Sequence, residues 1–492
     1  MSSEAINPGL SETADAPDHS ARNRIVILIL LISTFTMILN ETIMSVALPR
    51  LMVDLNVTAN AAQWLTTAFL LTMAVVIPIT GFLLQRFHTR TVFITALSFF
   101  SIGTFLCAIS PSLLPLVAGR VVQACGTAMM MPLMMTTVMN LVPPESRGKT
   151  MGNISIVISV APAVGPTISG IILNLLDWRW MFWLVLPIGL ACLATGLMWL
   201  KNVTEPRKVP LDVISVPLAA IGFGGLVYGL STIGEGHGEA SSIPLWLPLA
   251  VGAVVLVGFI LRQIALGPKE RALLDLRTFK VKIFTVAVVM MGLSMMALFG
   301  MIILLPIYMQ NVLGMEPLQS GLMLLPGGLL MGLLAPIVGR LFDAHGARKL
   351  VIPGSVAVSA ALWLMTTYTP ETTVPVVLGG HILLSAGLAF LFTPLFTSSL
   401  GSLPQNLYSH GSAVIGTIQQ VAGAAGIALF VSIMTVRTAS GIENGLDQAH
   451  ALSEGLSAGF TCGAIASLLM IVASFFVRRP PDMKDGPVPM GH

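Results

Sequence analysis

The sequence predicts an all-α polytopic membrane protein of fourteen transmembrane helices, arranged as two six-helix bundles plus two inserted helices (6+2+6). Three observations carry that expectation. The chain is 55% hydrophobic and only 10% charged, with 46 glycines and a mean hydropathy of +0.88, far too apolar for a soluble domain. Crossing a bilayer takes about 20 consecutive apolar residues, and runs of that length recur from end to end. Finally, the segment Gly81-Phe82-Leu83-Leu84-Gln85-Arg86-Phe87-His88-Thr89-Arg90 returns as Gly339-Arg340-Leu341-Phe342-Asp343-Ala344-His345-Gly346-Ala347-Arg348 at the same place in the other half. A repeat of this kind marks two related bundles.

Taken in order, residues 1–24 are polar, rich in Ser, Ala and Asp, and lack a basic start, so a disordered cytoplasmic N-terminus is expected. The first apolar run is too long for a signal peptide and stays as helix 1. Spans at 25–49, 62–84, 91–110, 113–139, 150–175 and 179–200, separated by short polar connectors, form the N-terminal bundle of 25–200. The unit 201–282 carries two inserted spans, 211–233 and 244–266, with cytoplasmic linkers. In the second linker, Glu270 to Lys280 mixes charged and apolar residues and reads as an amphipathic helix on the inner membrane surface. The C-terminal bundle, 283–478, holds spans at 283–308, 318–338, 349–368, 374–400, 409–435 and 454–477. The Pro-rich stretch 479–492 reads as a disordered cytoplasmic tail.

Charge gives the orientation. With both termini in the cytoplasm, only Arg50, Arg179 and Arg437 fall outside and Arg120 falls within a span; every other Lys and Arg lies inside, as the positive-inside rule demands. The net charge of +3 therefore reflects topology and gives no support to nucleic-acid binding. Cys107, Cys125, Cys192 and Cys462 lie singly in apolar spans, without metal-ligand spacing or a disulfide framework. No phosphate-binding loop occurs, so neither metal nor cofactor is expected and ATP is not the direct energy source.

Glu41 is the one carboxylate well inside a span. Holding a charged acid in hydrocarbon costs roughly 2.5–3.5 kcal/mol, so its default role is functional. It lies about 24 Å from the inner end of helix 1, and Arg120 about 10 Å from the outer end of span 4, by helical rise. The two reach one level, and a buried Arg needs an acceptor, so a direct or water-bridged pair is expected. In the functional version, Arg120 holds Glu41 ionised until a proton from outside displaces it; the alternative is a static lock that only sets packing.

Span 5 reads as a packing helix: Ala161, Gly165 and Ser169 recur every four residues, and Pro162 and Pro166 bend it. Asp343, at fixed spacing between Gly339 and Gly346, is an acid able to bond a helix N-terminus and release it when the halves rock apart. Polar candidates for the substrate cavity are Asn40, Thr42, Ser45, Gln63, Thr67, Gln123, Gln419 and Gln420. Methionine clusters at Met129 to Met135 and Met290 to Met296 suit either an adaptable apolar site or core filling.

Together these segments resemble the major facilitator superfamily, in its fourteen-span drug:proton antiporter branch (EmrB/QacA-type efflux pumps), over nearly all of residues 24–478. Leu116-Val117-Ala118-Gly119-Arg120-Val121-Val122-Gln123 is similar to the span-4 motif whose Arg is implicated in proton coupling. Gly152, Ala161, Gly165-Pro166 and Gly170 are similar to the span-5 antiporter motif, which implies that this helix forms a seal between the two halves. The two loop repeats, with Gly81, Gln85, Arg86, Arg90, Gly339, Arg340, Asp343, Gly346 and Arg348, resemble the family's cytoplasmic gate. The chain departs from the pattern where Asn40 stands in place of the usual Asp, with Glu41 one residue on, and where Gln85 and His88 replace an Asp and a Gly. The resemblance implies a proton-driven exporter of small amphipathic molecules, monomeric, in the plasma (inner) membrane of a bacterium, with lipid, substrate and protons as its partners. Alternatives are a dedicated exporter of a physiological lipid, metabolite or amino acid, and a membrane-embedded enzyme or sensor, for which no nucleophile, metal cluster or soluble domain is visible.

Overall fold

The computed structural model describes residues 20–57, 59–200, 202, 206, 210, 212–234, 244 and 246–477. The expected tails and the connector between the inserted spans lie outside these, apart from the first helical turn at Ser20. Among the described residues the regular structure is wholly helical: α1 (Ser20–Asp54), α2 (Ala59–Arg86), α3 (Thr89–Ala108), α4 (Leu113–Leu141), α5 (Arg147–Leu175), α6 (Trp180–Trp199), α7 (Ser215–Gly234), α8 (Trp246–Leu266), α9 (Lys282–Ile307), α10 (Pro317–His345), α11 (Arg348–Met365), α12 (Val374–Gly401), α13 (Tyr408–Glu443) and α14 (Gln448–Ser474). Among the described residues thirteen helices are long and apolar enough to cross a membrane, and α7 adds the shorter apolar stretch Ser215–Leu230. Helices α1 and α13 run about two turns past their apolar runs, because polar residues such as Arg50 and Arg437 continue a helix in water as readily as Leu does in lipid.

Packing repeats between the halves. The pairs α3 with α4, α2 with α4, α1 with α5 and α3 with α6 return as α11 with α12, α10 with α12, α9 with α13 and α11 with α14. Small residues set the spacing: a Cβ on Gly126 would lie 2.2 Å from the Ala96 carbonyl oxygen, so α3 and α4 touch backbone to backbone. The methionine clusters are largely core filler, with Met129, Met130, Met134, Met135, Met290, Met291 and Met295 all buried.

The bundles meet through α5 with α10 and α2 with α13. The end at which α1 starts and α14 finishes carries the basic residues and is called the basic end below. Inserted helix α7 packs on both α2 and α13, spanning the seam, while α8 packs on α7 with Gly225 against Gly252.

At the basic end the hairpin is tied to its linker. Asp212 accepts from Arg262 Nε (2.6 Å) and Nη2 (2.7 Å), and the Arg262 guanidinium holds its carboxyl down to about 2, so the pair stays charged at physiological pH. Gln263 donates to Ser215 Oγ (2.7 Å) and accepts from the amides of Leu273 (2.8 Å) and Leu274 (3.2 Å). This corrects the expected surface helix at Glu270 to Lys280. The segment holds a 3-10 turn, Leu276–Lys280, capped by Asp275 and following a turn at Gly267–Lys269, and it buries Ala272, Leu273, Leu274, Asp275 and Thr278. Side chains of Gln263 and Asp275 take over backbone amides that a helix would have used, which frees the chain to tuck its two leucines inward.

Candidate proton and gate sites

Arg120 is 1% exposed and lies on α4 facing α1 and α2. Its Nη1 donates to Gln123 Oε1 (2.7 Å) and Asn40 Oδ1 (3.2 Å), Nε donates to the Leu65 carbonyl (3.4 Å), and the guanidinium sits 4.0 Å over the Phe69 ring. Gln123 in turn donates to Thr104 Oγ1 (2.7 Å), which orients it. A buried guanidinium is thus held by neutral acceptors and one aromatic face.

The expected direct pair with Glu41 is not formed: among the described residues no ion pair joins them, and Glu41 accepts no hydrogen bond. The reason is helical phase. One residue turns a helix by about 100°, so Asn40 takes the face toward α4 and Glu41 points away from it, half-buried, with Arg120 the charge that acts on it. Sequence order alone does not say which of two neighbours faces a partner helix.

The cavity candidates separate. Asn40 and Gln123 belong to the arginine cradle, and Thr67 is buried on α2. The Thr42 hydroxyl bonds back to the Leu39 carbonyl (3.0 Å) on its own helix. Gln419 and Gln420 are half-buried on α13, Gln420 reaching the Met73 sulfur of α2 at 4.0 Å. The side chains of Ser45, Gln63 and Pro166 lie outside the described residues.

The loop motifs meet the opposite bundle at the basic end. Asp343 Oδ1 accepts from the Gly148 amide and Oδ2 from the Lys149 amide, both at 2.8 Å, in the first turn of α5. Its repeat mate Gln85 instead donates from Nε2 to the Asn406 carbonyl (3.1 Å), and Asn406 is the repeat mate of Gly148. Arg90 donates to the Leu197 carbonyl (2.6 Å), within its own bundle, and Gly346 turns the chain at φ 79° before α11. Arg86, Arg340 and Arg348 make no hydrogen bond or ion pair among the described residues. Further cross-bundle bonds are Thr136 with Ser412 (2.8 Å), Thr393 donating to Ser155 (2.8 Å) and Gln405 donating to Asn140 (3.1 Å). Sequence reasoning missed these hydroxyl pairs and Arg147, which donates to the Met139 and Val142 carbonyls and covers Tyr408. Singly, none has a distinguishing pattern.

Span 5 works on two partners. Gly148 and Gly152 face α10, where a Cβ on Gly152 would lie 2.5 Å from the Ala335 oxygen and 2.9 Å from Pro336 Cα. The expected seal is corrected at the other positions: Gly165 faces α1 within its own bundle, with Thr42 Oγ1 2.2 Å from a would-be Cβ, Ala161 is buried in the apolar cluster with Ile43 and Ala47 of α1, and Gly170 has open space, because half a helix further along α5 the neighbouring helix is α1 and not α10. Apart from the long Gln420–Met73 contact, every cross-bundle hydrogen bond described here lies toward the basic end, which is closed. Gly152→Leu will part α5 from α10, since backbone cannot step aside. A cysteine at buried Ser412 should then react several-fold faster with a hydrophilic thiol reagent; unchanged reactivity would place the seal elsewhere.

The profile described as Major Facilitator Superfamily matches residues 30–427. The chain is 40% identical over 460 residues to the lincomycin resistance protein LmrB of Bacillus subtilis, covering 92% of this chain and 95% of that one. It is 27% identical over 410 residues to the probable multidrug resistance protein EmrY of Escherichia coli, covering 83% and 79%. Among solved structures it is similar to the human organic anion transporter MFSD10 (TM-score 0.68, 15% identity, 92% of this chain and 99% of that one) and to the proton:xylose symporter XylE (TM-score 0.62, 16% identity, 94% and 97%), likenesses of fold alone.

Proposed function

The chain belongs to the Major Facilitator Superfamily, and from that membership we propose that it is a proton-coupled antiporter that exports lincomycin-like and other amphipathic small molecules by alternating access. The observation that carries the proton coupling is Glu41: an acid within a membrane span, acted on by Arg120 yet bonded to no neighbour among the described residues. A static lock needs the Glu41–Arg120 contact, and that contact is absent among the described residues. Arg120 is anchored instead by Asn40, Gln123 and Phe69, a fixed positive charge near a carboxylate free to exchange its proton. Asp343 on the α5 N-terminus is the latch of the closed basic end in this reading, and a polar seam of Gln419 and Gln420 on α13 opposite Met73 is the route for substrate.

Cells expressing the chain should hold several-fold less lincomycin or amphipathic dye than cells without it, and a protonophore should erase the difference. Export that survives the protonophore would remove proton coupling. We assign the basic end to the cytoplasm of a bacterium. In a variant without native cysteines, Glu371→Cys should be labelled by an impermeant reagent from outside and Lys269→Cys should not; the reverse would invert the orientation and with it the direction of transport.

A further inference from the structure

The second bundle has an intramembrane ionisable group of its own. His381 is the eighth residue of α12, as Arg120 is the eighth of α4, so both sit about 10 Å from the same face of the bundle by helical rise. The 258-position repeat also sets His381 opposite Gln123, Arg120's nearest partner. The two bundles thus carry ionisable or polar groups at one depth.

The imidazole is built into a notch. Its Nε2 lies 3.0 Å from the Leu324 carbonyl of α10, and a carbonyl only accepts, so Nε2 carries the hydrogen. Gly327 makes the room: a Cβ there would come 2.3 Å from Nε2 and 2.6 Å from Ser385 Oγ. The other nitrogen, Nδ1, is buried and has no hydrogen-bond partner among the described residues. A ring with one nitrogen donating and the other bare is neutral, with its remaining lone pair unsatisfied.

The surroundings leave that lone pair uncompensated. Of the helices packed on α12, α5, α9 and α11 carry their charges at the basic end, with Arg147 and Lys149, Lys282, and Arg348 and Lys349 respectively. Helix α10 has Glu316 about 12 Å before Leu324 and Arg340, Asp343 and His345 about 24 Å or more after it by helical rise; α13 has His410 at the basic end and Arg437 and Glu443 near the other. None of these charges is at the depth of the ring. The ring is tied through Leu324 to α10, the helix whose far end carries Asp343 and which α5 must release when the basic end opens.

We propose that His381 is a second proton-binding site, taking a proton on Nδ1 and giving it up as α10 moves relative to α12 in each cycle. Resting on the proposed antiport, this makes two protons, one on Glu41 and one on His381, the complement exchanged per substrate. Protonation adds one N–H bond and one positive charge on the ring, and deprotonation returns both to water.

The test is thermodynamic, so it is insensitive to slowed turnover. Purified protein in liposomes, with voltage clamped at zero and one pH unit imposed, brings a neutral substrate to a steady ratio of about 100-fold for two protons and about 10-fold for one. The wild type is expected near 100-fold, His381→Gln near 10-fold, and the variant lacking both His381 and Glu41 near unity. A wild-type ratio near 10-fold overturns the second site whether or not the variant folds. A ratio of 100-fold retained by His381→Gln also overturns it. No accumulation by the wild type would instead refute the antiport on which the inference rests.

Discussion

Glu41→Gln is expected to cut the steady-state substrate ratio tenfold for each unit of pH gradient while downhill substrate exchange continues. The ratio reports how many protons are exchanged per substrate and is independent of rate; each lost proton per pH unit is about 1.4 kcal/mol of driving force. Gln keeps the length and polarity of Glu but holds no exchangeable charge, so the helix stays packed and only the coupling changes. The measurement is the liposome ratio together with substrate counterflow in the absence of any gradient. Counterflow that persists with a reduced ratio identifies a coupling acid. An unchanged ratio with slower exchange would make Glu41 structural and would sink the proposed proton role. Arg120 enters the same argument from the other side. Its guanidinium is bonded to Asn40, Gln123 and Leu65, not to Glu41, so loss of the Glu41 charge breaks no bond in the cradle.

Much of this architecture was legible because hydrophobic length and charge asymmetry act one residue at a time. Among the described residues fourteen α-helices appear where fourteen apolar runs stand, and most of the basic residues gather at one end, since each run must satisfy its own backbone in lipid and each charge must reach water. What was not legible depends on phase and on tertiary neighbours. Asn40 and Glu41 are adjacent, and only the packed structure shows that the neutral one meets Arg120. Segment 270–280 has the composition of a surface helix, yet Gln263, near the end of the preceding helix and linked to it by no sequence pattern, captures its amides and turns it inward. His381 was overlooked for a related reason: a single histidine in an apolar run has no pattern, and its significance rests on a glycine notch and a carbonyl of another helix.

Asp343→Asn should favour the state open at the basic end far more than Gln85→Ala. The two residues are repeat mates, and both reach the beginning of a helix in the opposite bundle, but by opposite chemistry. Asp343 presents a charge to two first-turn amides of α5, at Gly148 and Lys149, where the helix dipole adds to two charge-assisted bonds. Gln85 donates one neutral bond to the Asn406 carbonyl at an exposed site, worth about 0.5–1.5 kcal/mol at most. Bonds to a charged group are worth about 1.5–3 kcal/mol, so removing the Asp343 charge shifts the equilibrium by roughly tenfold or more, at 1.4 kcal/mol per factor of ten. Loss of the Gln85 bond shifts it a few-fold. Gly148 packs tightly against Asp343 and the Gly339 carbonyl, so the Asp343→Asn side chain has little room to adjust, and its NH2 faces one of the two amide donors and leaves that bond unmade. Thiol reactivity of Ser412→Cys from the basic side, compared in the two variants at matched expression, reads the shift directly. Equal increases would mean that the latch is shared evenly between the bundles despite the difference in charge; a larger increase for Gln85→Ala would move it to α13.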